Sequence, residues 1–294
     1  MTDRDPLQIS EAELRAMTKQ MNEMHAETFP VLHESLGDFG SSLRGKLRTL
    51  AEHSANRRTF LIGSGAALGG VLLAACGKDD PKPAASKSSS AAPSSASSAA
   101  SSAASGAASP SGSAGGAGKD IAALSTNASL ENLAVFAYMS ALAEAPKGKF
   151  GKSVPPAVAE FAKHAMMQHK DHAAAFNAAL KIAGAAEFTK PNPALADTVI
   201  KLFGEVKDVP GLAQLALTLE NTAGATYVKQ MGTLTNPDAL KAVATIAPVE
   251  RQHAAILNFV LGNYPVPDVF VKLDEQSGSS ASLGARPDTD AGVS

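Results

Sequence analysis

The amino-acid sequence predicts an all-α protein, and three observations place a four-helix bundle over residues 119–274. Apolar residues recur there at spacings of three and four, as they do on one face of a helix. Alanine is abundant, and no stretch alternates between apolar and polar residues as a half-buried strand would. Proline and glycine divide the segment into four long helical stretches with short connections, which is the layout of a bundle.

The individual helices follow from their start and stop signals. The expected long helices cover 120–144, 155–183, the stretch after 211 up to 231, and 237–261, with a shorter one at 195–207. Gly184 and Gly232 are typical helix stops, and the Val-Pro-Gly triplet at 209–211 is expected to break the chain before the third long helix. Pro248 falls inside the fourth helix, where it removes a backbone hydrogen bond at a cost of about 3 kcal/mol. We therefore expect that helix to be kinked or split.

Charge and cysteine content exclude several classes of function. The chain has 26 Lys and Arg against 28 Asp and Glu, so its formal charge is −2. This balance gives no electrostatic footprint for nucleic acid or an anionic bilayer. The single cysteine excludes an intramolecular disulfide and the metal sites that need two thiolates.

A stretch with little capacity to fold precedes the helical segment. Residues 77–118 contain 14 Ser and 13 Ala among other small or turn-forming residues, which favours a disordered linker. Before it, residues 59–75 carry no charge and are rich in Gly and Ala, which is short for a membrane span and typical of a signal-peptide core. The other interpretation, a buried apolar helix, does not account for the linker. At the other end, residues 275–294 are predicted to be a disordered tail.

The residues that flank the uncharged run resemble two export signals. Arg57 and Arg58, followed by Thr-Phe-Leu, resemble a twin-arginine signal, and the Leu-Ala-Ala-Cys sequence ending at Cys76 resembles a bacterial lipobox. Residues 56–76 are interpreted as this signal. The resemblance implies that the twin-arginine machinery exports the folded protein across the cytoplasmic membrane. It also implies that Cys76 is lipidated and anchors the mature chain to the membrane, in the cell envelope or periplasm.

Residues 1–55 form an unusually long extension before such a signal. Ser10 and Glu13 have the spacing of a capping box, and an apolar helical stripe follows them. The stripe consists of Leu14, Met17, Met21 and Met24. One interpretation is a helix that docks on an export chaperone or another cytoplasmic partner. The other, which we favour, is an extension that is not part of the mature fold, or a start codon assigned upstream of Met24.

A weak internal duplication supplies the candidate chemistry. Two helix pairs each contribute a Glu-x6-Tyr sequence and then a histidine with a ligand-type residue three positions before it. The matched residues are Glu131, Tyr138, His169 and His172 in the first pair, and Glu220, Tyr227, Glu250 and His253 in the second. Residues three apart lie on adjacent turns of a helix, so both can point into one space. We expect the glutamates and histidines to surround a metal ion, with the two tyrosines beside the ligands.

This ligand pattern resembles the ferritin-like superfamily, in which two helices supply a glutamate and two supply Glu-x-x-His to a di-iron centre. Leu124 and Leu130 before Glu131, and Ile246 before Glu250, add to the resemblance. The chain is most similar to exported bacterial ferritin-like domain proteins. The resemblance implies a ferritin-like four-helix bundle, an iron cofactor of two ions, and a di-iron-type oxidoreductase that acts on dioxygen or peroxide. It assigns no further catalytic residue.

His169 departs from the superfamily, which has a glutamate at that position. A glutamate can bridge two metals with its two oxygens, and an imidazole cannot do so in the same way. Three outcomes stay open: an unusual dinuclear centre, a single metal, or a degenerate site without metal. Nitrogen-rich ligation also admits manganese, zinc or copper.

A second hypothesis is a non-enzymatic helical envelope module that has lost or degraded the metal site. It predicts a metal-free protein whose melting temperature ignores chelators and added metal. Iron storage in a cage is not favoured, because a lipid tether hinders closure into a soluble shell. The pattern leaves homo-oligomerisation open, and no nucleic-acid partner is expected.

Overall fold

The computed structural model describes residues 10–63, 111–151 and 153–267, and within those ranges every regular element is helical. Six α-helices follow one another along the chain. They are α1 (Glu11–Gly63), α2 (Ser111–Glu144), α3 (Pro156–Ala183), α4 (Ala196–Glu205), α5 (Val209–Met231) and α6 (Pro237–Val260), with a 3-10 turn at Ala145–Lys147 after α2. The long helices α2, α3, α5 and α6 are the bundle, in which α2 packs mainly on α3 and α5 mainly on α6. The predicted all-α bundle is confirmed.

The helix ends follow the local chemistry of the sequence. Gly184 ends α3 with a φ of 81°, a left-handed conformation that glycine adopts without steric cost. Asp208 starts α5 by accepting a hydrogen bond from the Gly211 amide, and Asn236 starts α6 by accepting from two backbone amides. The Val-Pro-Gly triplet at 209–211 therefore lies in the first turn of α5, where proline is tolerated, and does not precede the helix as predicted.

Two helices are longer or more continuous than predicted. α2 begins at Ser111, inside the segment 77–118 that was predicted to be linker. Four glycines among residues 111–118 disfavour a helix, and the burial of Ala117 in the core is the tertiary contact that supports it. α6 runs from Pro237 to Val260 without interruption, so Pro248 does not split it. The packing of α6 in the bundle core outweighs the single hydrogen bond that proline removes.

Helix α1 packs against the bundle in the full-length chain, which the sequence analysis did not predict. Its capping box forms as expected, since Ser10 Oγ accepts from the Glu13 amide at 3.2 Å and Glu13 accepts from the Ser10 amide at 3.0 Å. Six of its apolar side chains are almost fully buried. They are Leu14, Met21, Leu32, Leu36, Phe39 and Leu43. Each contributes about 2 kcal/mol of hydrophobic stabilisation, before the entropy of ordering α1 is subtracted.

The backbone of α1 lies close to the bundle at Gly40. A Cβ atom at this position would lie 2.7 Å from the carbonyl oxygen of Ala179 and 2.9 Å from the Cβ of Ile182, both on α3. Only glycine permits this distance between the two helices. The buried residues of α1 join two core clusters, one with α2, α3, α5 and α6 around Phe176, and one nearer Phe161. Residues 10–51 and the bundle thus belong to one compact unit.

Several predictions concern residues outside the described ranges. The side chains of Arg57 and Arg58, the residue Cys76 and the tail 275–294 lie there, as does most of the linker 77–118. Within the described ranges, no helix is both long enough and apolar enough to cross a membrane.

Candidate metal centre

The six predicted ligand side chains converge in the middle of the bundle. They are Glu131 on α2, His169 and His172 on α3, Glu220 on α5, and Glu250 and His253 on α6. All six are at most 1 % exposed. Three carboxylates in so dry a place are costly unless positive charge or hydrogen bonds compensate them.

The six side chains form two overlapping groups, each with the size of a metal site. One group is Glu131, His169, His172 and Glu250, and the other is His169, Glu220, Glu250 and His253. Within each group, one ligand atom from every residue lies within 4.8 Å of the others. His169 and Glu250 belong to both groups. The geometry therefore offers two adjacent positions for a cation, with shared ligands between them.

The two tyrosines connect the halves of the bundle by an exchange of hydrogen bonds. Tyr138 of α2 donates to Glu220 Oε1 of α5 at 2.5 Å, and Tyr227 of α5 donates to Glu131 Oε1 of α2. Burial and the neighbouring carboxylates raise the pKa of both hydroxyls well above the usual value, so each stays protonated and donates. The predicted place of both tyrosines beside the ligands matches these contacts, which fix the orientation of the two glutamates.

His169, the residue that departs from the superfamily pattern, connects two carboxylates. Its Nδ1 lies 2.7 Å from Glu131 Oε2, and its Nε2 lies 3.2 Å from Glu220 Oε1. Its ring stacks on Tyr138 with a centroid distance of 5.7 Å. Burial would lower the pKa of His169, but the surrounding carboxylates raise it well above its usual value. A charged His169 donates to both carboxylates at once, which compensates part of their negative charge without a metal.

The electrostatics distinguish Glu250 from the other two glutamates. Burial opposes ionisation of Glu131, but His172 and His169 lower the pKa of Glu131 to about 2. For Glu250, burial and the charge of Glu131 raise the pKa to about 8. Without a cation, Glu250 is therefore mainly neutral at pH 7, whereas Glu131 is ionised.

Unpaired polar atoms show that the site fits a metal ion. Both carboxyl oxygens of Glu250 are buried without a hydrogen-bond partner, and so is Nδ1 of His172. The two groups face each other, with 3.6 Å between His172 Nδ1 and Glu250 Oε1, beyond ordinary hydrogen-bond length. An unsatisfied buried carboxyl is a rare and unfavourable feature that a cation would satisfy. Buried carboxylate oxygens and imidazole nitrogens are also ligands suited to iron, manganese and zinc.

Two further side chains orient the ligands, and the sequence analysis missed both. Gln168 Oε1 lies 2.8 Å from His253 Nε2, which assigns the ring proton to Nε2 and leaves Nδ1 facing Glu220 and Glu250. His25 Nε2 of α1 lies 3.2 Å from His172 Nε2. Nothing in the local sequence marks Gln168. His25, in contrast, continues the helical stripe from Leu14 and Met21, and that register is a signal that could have found it.

Two small cavities lie near the ligands. One, of about 10 Å³, is lined by Glu131, His169 and Glu220 among others. The second, of about 40 Å³, is lined almost entirely by apolar side chains and reaches Tyr138. Leu219 lines both cavities. The larger cavity contacts none of the six converging side chains and reaches the site through Tyr138, which hydrogen-bonds Glu220.

A family model described as a ferritin-like domain matches residues 119–263. No curated protein and no solved structure matches the chain. The matched residues cover the four-helix bundle except the first eight residues of α2, and they include all six converging side chains. Residues 119–263 therefore form a domain of the ferritin-like superfamily, and its buried histidines and glutamates are compatible with a metal site.

Proposed function

We propose that this ferritin-like domain binds transition metal at the six converging side chains and acts as an oxidoreductase on dioxygen or peroxide at the cell envelope. The observation that carries the proposal is the pair of unpaired oxygens of Glu250, buried at the point where the two ligand groups overlap. A buried acid without a partner destabilises the fold by itself. Its placement among three imidazoles is best explained by a cation that it binds.

The ligand set suits iron best, with two ions as the leading arrangement. The first position takes Glu131 and His172, the second takes Glu220 and His253, and Glu250 is close enough to serve both. Iron or manganese bound there would supply one-electron chemistry toward dioxygen or peroxide. Zinc would bind the same groups without redox activity. His169, with both nitrogens on carboxylates, reduces the negative charge available to a second ion.

The chain's own residues provide orientation and a dry environment. Tyr138 and Tyr227 hold Glu220 and Glu131, and Gln168 holds His253 in one tautomer. The cavity of about 40 Å³ beside Tyr138 is lined by apolar side chains, which suits a small neutral reactant. Dioxygen or peroxide is the class of reactant that we propose.

Export and tethering complete the proposal. The sequence from Arg57 to Cys76 supports a twin-arginine signal followed by lipidation, and the Ser- and Ala-rich composition after Cys76 supports a linker. Because twin-arginine substrates typically cross the membrane folded, metal is proposed to be loaded in the cytoplasm before export. The lipid on Cys76 then holds the domain in the envelope or periplasm.

Elemental analysis of the purified full-length protein tests the metal proposal. A Glu250→Ala/His253→Ala double variant should lose the metal found in the native protein, and the single variant Glu250→Gln should lose most of it while keeping the helical content. The matched control is Glu187→Ala/His33→Ala, which changes the same residue types at exposed positions and should retain the metal. Equal metal content in all four proteins would contradict a site at these residues. Consumption of dioxygen or peroxide by the loaded protein tests the reaction separately.

The alternative function is a non-enzymatic helical module, and one observation favours it. His169 and the two tyrosines already satisfy Glu131 and Glu220, so the bundle compensates two of its three acids without metal. This alternative predicts that chelator and added Fe(II), Mn(II) or Zn(II) leave the melting temperature unchanged. Metal binding predicts a rise with the metal that binds.

A further inference from the structure

Helix α1 contacts the candidate metal centre directly, although it lies outside the ferritin-like domain. His25 is 8 % exposed and its Nε2 lies 3.2 Å from Nε2 of His172. Phe29, one turn further on, stacks on the His25 ring with a centroid distance of 5.2 Å and lies 6.4 Å from the His172 ring. Two side chains of α1 therefore cover His172 on the edge opposite the carboxylates.

The contact between His25 and His172 orients the His172 ring. Nδ1 of His172 faces Glu131 and Glu250, so this nitrogen is the one available to a metal. Binding through Nδ1 places the ring proton on Nε2, which then donates to His25. His25 is thus a positioning residue that favours the tautomer in which His172 is a ligand.

We propose that the face of the bundle on which α1 lies is a docking groove for a histidine-bearing amphipathic helix, and that α1 is its releasable occupant. The docked helix closes the metal centre and slows metal exchange. This inference rests on the proposed metal site and on the proposed signal. The apolar stripe and His25 provide recognition, and the fit at Gly40 sets the register of α1 on α3.

The order of segments along the chain explains when the helix leaves. The signal that ends at Cys76 lies between α1 and the bundle. Cleavage before Cys76 therefore separates α1 from the domain covalently, and α1 then stays only by its contacts. The chain that folds and takes up metal has the groove closed, and the mature domain has it open for small reactants.

Docking and metal binding are reciprocally coupled if they share the His25–His172 contact. Any factor by which α1 tightens metal binding is the factor by which metal tightens α1 docking. The inference therefore predicts two independent readouts, the rate of metal loss and the protection of α1 backbone amides.

The experiment uses the full-length chain loaded with Co(II), followed by visible absorption and amide hydrogen exchange. Gly40→Leu forces α1 away from Ala179 and leaves every ligand unchanged. Gly37→Leu is the matched control, because a Cβ there has no neighbour within 4 Å. We expect Gly40→Leu to raise amide exchange across α1 and to speed removal of Co(II) by EDTA about ten-fold or more, and Gly37→Leu to change neither by more than about two-fold.

A second variant isolates the histidine. His25→Phe keeps the stack on Phe29 and removes the hydrogen bond to His172. Co(II) should protect α1 amides from exchange in the wild type and lose most of that effect in His25→Phe.

Each outcome decides the inference. If Gly40→Leu displaces α1 but the rate of Co(II) release is unchanged, α1 does not cover the metal centre. If α1 stays docked in Gly40→Leu, the proposal that α1 is a releasable helix is wrong. Unchanged coupling in His25→Phe overturns the role of the histidine. Absence of Co(II) binding in the wild type contradicts the proposed metal site instead, and the absorption spectrum distinguishes that failure from the others.

Discussion

The two halves of the bundle present the same groups to the centre with one difference. The pair α2–α3 supplies Glu131, Tyr138, His169 and His172, and the pair α5–α6 supplies Glu220, Tyr227, Glu250 and His253. His169 and Glu250 occupy equivalent positions, but both nitrogens of His169 contact carboxylates while both oxygens of Glu250 have no hydrogen-bond partner. The histidine at position 169 therefore connects two carboxylates, whereas the glutamate at position 250 has oxygens that could bind a cation.

The largest expected effect tests this difference between the halves. Glu250→Gln should weaken Co(II) binding by about 100-fold or more, because among the six converging side chains Glu250 is the carboxyl whose two oxygens both lack a hydrogen-bond partner, whereas His169→Gln should cost about ten-fold or less. Competition with a chelator of known affinity measures both. Since burial raises the pKa of Glu250 to about 8, the amide resembles the neutral acid of the metal-free protein and should not unfold it. Equal losses would show that His169 is as much a ligand as Glu250.

The tyrosines offer a symmetric comparison. Tyr138→Phe and Tyr227→Phe each remove one hydrogen bond to a glutamate, and each should weaken metal binding by about ten-fold. The same competition assay measures them. A loss confined to one variant would indicate that a single position holds the metal, as a mononuclear centre requires.

The helix ends differ between the halves in a way that stability measurements resolve. Gly184 after α3 has a φ of 81°, and Gly232 after α5 has a φ of −80°. Gly184→Ala should lower the free energy of unfolding by about 1 kcal/mol, because alanine is strained in the left-handed region, and Gly232→Ala should be nearly neutral. Denaturant unfolding compares them. Equal effects would contradict the difference in backbone conformation.

The smallest effect concerns the start of α2. Asp120 is 1 % exposed, and in the register that aligns Glu131 with Glu220 its equivalent is the buried Val209. Burial raises the pKa of Asp120, although Thr235 and Lys46 act in the opposite direction. A raised carboxyl pKa means that Asp120 binds its proton more tightly in the folded state than in the unfolded state. Asp120 therefore destabilises the fold at a pH above its pKa in the folded state, and it has no such effect at a pH below its pKa in the unfolded state.

Asp120→Asn should therefore stabilise the protein at pH 7 by less than about 1 kcal/mol, with the gain disappearing below about pH 4. Thermal unfolding of both proteins across that range measures the difference. A gain that persists in acid would mean that packing, and not ionisation, is responsible.

The bundle and the convergence of the six side chains could be predicted because their signals are local and repeated. The three-residue spacing on α3 and α6 and the matched Glu-x6-Tyr sequences require nothing beyond helix geometry. Because four helices with short connections pack side by side, the side chains on their inner faces were expected to converge. The place of Tyr138 and Tyr227 beside the ligands followed from the same register.

The remaining features depend on tertiary contacts that one sequence does not specify. Continuity of α6 through Pro248 reflects packing, which outweighs one lost hydrogen bond. Gln168 takes part only because α3 faces His253 across the bundle. The docking of α1 depends on a groove made by other helices, which the apolar stripe of α1 does not specify by itself.

The exchange of tyrosine hydroxyls has a consequence for how such a chain could arise. Each hairpin supplies the tyrosine hydroxyl that donates to the glutamate of the other hairpin, in addition to a histidine contact within its own hairpin. Two copies of a single hairpin, related by a two-fold axis, would satisfy the same tyrosine bonds between separate molecules. Fusion of such copies into one polypeptide would preserve that reciprocity and would let the copies diverge, as His169 opposite Glu250 illustrates.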